Sequence, residues 1–168
     1  MNKTTLVIFL MLCLALAGFA PDTKKITIYT IGDSTMADKD TSGNNPERGW
    51  CQVLPVFFDS RYVTVDNRAK NGRSSKSFIS EGLWKGVLDD LKKGDYVFIQ
   101  FGHNDSKTDS ARHTDPQTSY RDNLVRFIKE TKAKGAIPVL FTSICRRSFD
   151  PEGNPVNTHG EYPAVTRE

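Results

Sequence analysis

Tyr96-Val-Phe-Ile-Gln-Phe101 runs directly into Gly102-His-Asn-Asp105. Six residues with one strongly polar member, Gln100, fit a strand buried on both faces, as the strands of a parallel sheet are. Parallel strands need crossover connections, usually helical. Upstream, residues 77–91 place Phe78, Leu83, Val87, Leu88 and Leu91 at mixed helical spacing, weakened by Gly82 and Gly86 and stopped by Gly94. Downstream, Pro116 opens a second helix; its buried face is marked by Tyr120, Leu124, Phe127, Ile128 and Thr131, and Gly135 ends it. Further strands are predicted at residues 25–31, 62–67 and 137–141. A short helix is predicted over residues 50–58, interrupted by Pro55, and another begins at Tyr162. Polar loops fall at residues 38–48, 69–75, 106–115 and 146–160. Strands alternating with helices predict an α/β fold with a parallel sheet.

The chain has 168 residues, 26% charged and 38% hydrophobic, enough for one folded domain. Residues 1–20 read as a secretory signal peptide: Asn2-Lys3, an apolar run over residues 6–17, then Gly18-Phe-Ala20. The domain then covers residues 21–168, and the protein is expected to be secreted or periplasmic, with no membrane contact after cleavage. Taking Lys3 from the 23 Lys and Arg leaves 22 against 20 Asp and Glu. That balance gives no reason to expect nucleic acid. Cys51 and Cys145 remain after cleavage, and sequence leaves a disulfide and two free thiols equally open. The chain stops inside the first turn of a predicted helix, which reads as C-terminal truncation.

In open α/β sheets ligands bind beyond the carboxyl ends of the strands, where strand order reverses. Gly32-Asp-Ser34, Asn71-Gly-Arg73 and Gly102-His-Asn-Asp105 all fall at such ends. Ser34 is the candidate nucleophile; a serine hydroxyl needs a base and an oxyanion site to act. Its own N–H supplies one oxyanion donor, the backbone of Gly72 a second, and the Asn104 side chain a third. Taken singly, Ser34 is more often a helix cap, and Gly72, Asn104 and Asp105 turn residues. The case rests on all three segments sharing one sheet edge. Asp33, Arg73 and His103 are the candidate substrate-binding residues. Arg48, Lys70, Arg146 and Arg147 are further loop cations able to hold a carboxylate. Trp50 and Trp84 read as core.

Three blocks carry a resemblance: Ile31-Gly-Asp-Ser-Thr-Met36, Asn67-Arg-Ala-Lys-Asn-Gly-Arg-Ser-Ser75 and Gln100-Phe-Gly-His-Asn-Asp105, joined by Arg48-Gly-Trp50 and Tyr162-Pro163. The sequence resembles the GDSL/SGNH hydrolases, in the branch of the rhamnogalacturonan acetylesterases. The resemblance implies a flavodoxin-like, three-layer α/β/α sandwich. It implies Ser34 as nucleophile, with Ser34, Gly72 and Asn104 lining the oxyanion hole. It also implies removal of acetyl groups from pectic polysaccharide, with no metal and no organic cofactor. The family's base lies in an Asp-x-x-His block, and no such block exists in this chain. His103, His113 and His159 do not match it, so this chain is expected to be inactive or barely active. Other readings are a lipase or thioesterase of the same family, and a non-catalytic carbohydrate-binding module on the same fold. Oligomeric state is not legible.

Overall fold

The computed structural model describes residues 24–168, so the predicted signal peptide and its cleavage site lie outside the described residues. Four parallel strands form one sheet: β1 (Ile26–Gly32), β2 (Val63–Asn67), β3 (Tyr96–Gln100) and β4 (Ile137–Phe141). Their order is β2-β1-β3-β4. Register pairs Thr30 with Asn67 on one side, and Gly32 with Gln100 on the other. The chain leaves β2 on one side of β1 and re-enters as β3 on the other. The order therefore reverses at β1, and the crevice of such a sheet opens beyond the ends of β1 and β3.

Side chains alternate across a strand. Tyr29, Ile31, Val97 and Ile99 share one face. They form the main core with Phe78, Trp84, Val87, Tyr120, Leu124 and Phe127 from the covering helices. Those helices are α2 (Ser75–Ser80), α3 (Leu83–Asp90), α4 (Arg121–Ala133) and α5 (Tyr162–Arg167). Trp84 packs edge-on against Phe127, with centroids 5.0 Å apart, as expected of a core residue. The opposite face is covered by α1 (Trp50–Val53) and the 3-10 turn Leu54–Phe57 that Pro55 begins. Thr30, Gln100 and Cys51 are buried there.

Two expectations need correction. Residues 77–91 do not form one helix: Gly82 takes φ +76° and separates α2 from α3. Nearly only glycine adopts that backbone at low cost, so the residue that weakened the predicted helix divides it. The predicted helix at Pro116 starts as a π-helical turn, Pro116–Tyr120, before α4. Asp115 caps it, accepting from the backbone N–H groups of Gln117 and Thr118, each at 3.0 Å. Cys51 and Cys145 are both free thiols, one buried and one exposed. Burial pushes the Cys51 thiol up to about 12, so it stays protonated at neutral pH.

Candidate active site

β1 ends on a glycine because nothing else fits. A Cβ at Gly32 would lie 2.3 Å from Met36 Sδ and 2.6 Å from the Gln100 carbonyl oxygen. The next residue, Asp33, is fully buried and folds the turn around itself. Its Oδ1 accepts from the Thr35 backbone N–H and hydroxyl, both at 2.9 Å. Its carbonyl accepts from the Met36 and Ala37 N–H groups. Ser34 is thus presented, half-buried, on a turn held from both sides. Among the described residues neither its hydroxyl nor its N–H is bonded to a protein partner.

The chain leaving β2 stays against this turn. Arg68 N–H donates to the Thr30 carbonyl at 2.9 Å, and Lys70 N–H to the Gly32 carbonyl at 3.0 Å. Gly72 follows with φ +78°, and a Cβ there would meet nothing within 4 Å. Conformation, not space, calls for glycine at that position. Its N–H is also free of protein partners among the described residues. Beyond β3, Asn104 is buried, and its Nδ2 donates to the Arg73 carbonyl at 3.0 Å. An amide nitrogen carries two hydrogens, so one remains for a ligand.

The three segments are therefore joined pairwise. Lys70 to Gly32 links the first two, and Asn104 to Arg73 the second and third. Gln100 Nε2 to Thr35 Oγ1, at 3.0 Å, links the third to the first. The Arg48-Gly-Trp50 stretch braces that last link. Trp50 Nε1 donates to Gln100 Oε1 at 2.7 Å, and Trp50 N–H to the Thr35 carbonyl. A Cβ at Gly49 would lie 2.1 Å from the Ala37 carbonyl oxygen, so this contact also requires glycine.

Comparison with known proteins fits this geometry. The model of the GDSL-like lipase/acylhydrolase family matches residues 30–168. The chain belongs to this family. It is 41% identical over 140 residues to the rhamnogalacturonan acetylesterase RhgT of Bacillus subtilis, covering 83% of this chain and 58% of the relative. A probable rhamnogalacturonan acetylesterase of the same species, YesY, is 40% identical over 124 residues, 73% of this chain and 56% of the relative. The chain thus spans under two thirds of the length of these relatives. The crystal structure of YxiM, also from B. subtilis, superposes with TM-score 0.70 at 29% identity, over 86% of this chain and 40% of that one.

Within this GDSL-family chain the remaining candidates are placed as follows. Arg73 is paired with Glu81, Nη2 to Oε2 at 2.8 Å, so a substrate carboxylate would have to compete with Glu81. His103 is half-buried; burial lowers its pKa most, the Asp33 charge raises it, and Arg146 and Lys107 lower it further. Arg146 Nη2 donates to the His103 carbonyl at 2.8 Å. Of the other loop cations, Arg48 bonds to the Asn45 and Glu47 carbonyls, while Lys70 and Arg147 are exposed. No histidine is bonded to Ser34: His103 meets His159, and His113 meets the Lys107 carbonyl at 2.7 Å. A cavity of about 440 Å³, lined in part by Ser143, Arg146, Asn157, His159 and Arg167, lies between the loop after β4 and α5; Ser34, Gly72 and Asn104 do not line it.

Sequence reasoning missed the residue that organises the third block. Asp105 is buried and was read as a turn residue. Its Oδ1 accepts from Ser75 Oγ at 2.5 Å and Thr114 Oγ1 at 3.0 Å, and its carboxylate from the Ser75 and Gly102 N–H groups. Burial pushes its carboxyl pKa up, and these donors offset part of the rise. The one available signal was an acidic residue placed just beyond an apolar strand.

Proposed function

We propose that the protein is a serine esterase that removes O-acetyl groups from rhamnogalacturonan-type pectic polysaccharide. The observation that carries this reading is the pair of unbonded backbone N–H groups, Ser34 and Gly72, on joined strand ends, with a spare amide hydrogen on Asn104. In the reaction the Ser34 hydroxyl adds to the acetyl carbonyl. The carbonyl oxygen takes up negative charge, which the three donors stabilise. Collapse expels the sugar hydroxyl, and water then releases acetate from the acyl-serine.

The proton of Ser34 must pass to a base. None of the three histidines bonds to Ser34 and none lies in an Asp-x-x-His block, so we propose that the base is none of them. The pectic substrate is inferred from the names of the relatives RhgT and YesY. We further propose export, from the signal-like residues 1–20.

Exogenous imidazole can stand in for the base in the test. With imidazole present, this chain is expected to release acetate from acetylated rhamnogalacturonan faster than from acetylated xylan, and Ser34→Ala to abolish the imidazole-dependent part. Equal release from both polymers would overturn the substrate assignment. Imidazole-dependent release that survives Ser34→Ala would overturn the nucleophile.

A further inference from the structure

One imidazole pair, a buried His159 against a half-buried His103, has no part in the acyl transfer described above. His159, 4% exposed, places Nε2 at 2.5 Å from His103 Nδ1. The ring planes are 14° apart and the centroids 4.5 Å apart. The facing nitrogens come closer than stacked ring faces approach, so these near-parallel rings are joined by an N–H···N hydrogen bond.

Such a bond holds one proton between the facing nitrogens. Two N–H groups or two lone pairs would repel, so each ring sets the tautomer of the other. On the far side of His159, Thr158 Oγ1 lies 3.4 Å from Nδ1, at the long end of hydrogen-bond reach. A hydroxyl both donates and accepts, so Thr158 serves either tautomer of His159. Whichever facing nitrogen carries the shared proton, the other is its acceptor, and each ring holds one tautomer.

We propose that His159 is a positioning residue: it holds His103 in a single tautomer and thereby fastens the loop between β4 and α5 to the turn that carries Asn104. The same loop supplies Arg146, whose guanidinium holds the His103 carbonyl at 2.8 Å, so the fastening has two points. It also supplies part of the wall of the 440 Å³ cavity. The consequence for turnover rests on the esterase reading; the bond and its tautomer do not.

The charged groups facing the pair come from three elements. Asp33, after β1, draws a proton toward His103; Lys107, after β3, and Arg146, after β4, oppose it. Burial, then His103 and Arg146, hold His159 down to about 4. An unfolded histidine titrates at about 6.5. The unfolded chain therefore takes up this proton first as pH falls. The stability contributed by the neutral ring is complete above about 6.5, declines through that window and is gone below about 4.

Long-range ¹H–¹⁵N NMR of the histidine rings tests the proposal without requiring activity. In the parent chain His103 is expected as a single tautomer, and His159 to remain neutral until the pH approaches about 4. His159→Gln keeps a hydrogen-bonding partner for His103 Nδ1 but cannot titrate; it should keep His103 in a single tautomer and remove the transition near about 4. His159→Leu should give His103 a mixture of tautomers. A His159 that titrates at its ordinary value, or a His103 tautomer unchanged by His159→Leu, would overturn the proposal. The parent titration decides even if the leucine variant fails to fold.

Discussion

Asn104→Ala is expected to lower kcat/KM of this chain for p-nitrophenyl acetate about 10²–10³-fold, the usual cost of losing one oxyanion donor. The same change removes the amide bond to the Arg73 carbonyl, a stability loss of only about 0.5–1.5 kcal/mol. The rate loss, about 2.7–4 kcal/mol of transition-state stabilisation, is the larger effect and should appear well below the unfolding temperature. Ser34→Ala should behave differently in the absence of added imidazole. A nucleophile and its base act as one unit, and removing either costs nearly as much as removing both. With no histidine bonded to Ser34, what remains is background turnover from oxyanion stabilisation and binding. Loss of the hydroxyl should therefore change that background little. Steady-state kinetics of the two variants side by side check this ordering. A Ser34→Ala loss equal to or greater than that of Asn104→Ala would show that a base within this chain already serves Ser34.

Asp105→Ala should be the most destabilising single change near the site, by about 3–5 kcal/mol. It strips the acceptor from two buried N–H groups, those of Ser75 and Gly102, and from two buried hydroxyls. Each buried donor left unpaired costs about 1–3 kcal/mol. Because Ser75 opens α2 and Gly102 follows the end of β3, the loss loosens the joint between the second and third blocks. Urea denaturation should show a lower midpoint with an unchanged slope. A loss below about 1 kcal/mol would mean that Asp105 is a surface-like capping residue, as its position in the sequence first implied.

What could be read from sequence follows from what local patterning reports. The apolar run of β3 and the 137–141 strand announce themselves through their own side chains, and the structure places them at Tyr96–Gln100 and Ile137–Phe141. The strand-end glycines likewise mark the crevice. Partners distant in sequence leave no such mark. Ser75 lies 30 positions from Asp105, and His159 lies 56 from His103; neither spacing is a period of helix or strand. The reason for a glycine at position 49 is not local either, because the carbonyls that exclude a Cβ belong to Met36 and Ala37, more than ten residues earlier. The division of the predicted 77–91 helix was half legible: Gly82 was visible, but its positive φ is a property of how α2 and α3 pack.

The central claim is that three donors from separate segments meet at one oxygen beside Ser34. A crystal structure of the chain with methylboronic acid bound to Ser34 Oγ tests it most directly, since the boronate copies the tetrahedral intermediate. The account predicts one boron-bound oxygen within about 2.7–3.1 Å of Ser34 N, Gly72 N and Asn104 Nδ2 together. An adduct whose oxygens reach neither Gly72 N nor Asn104 Nδ2 would contradict it.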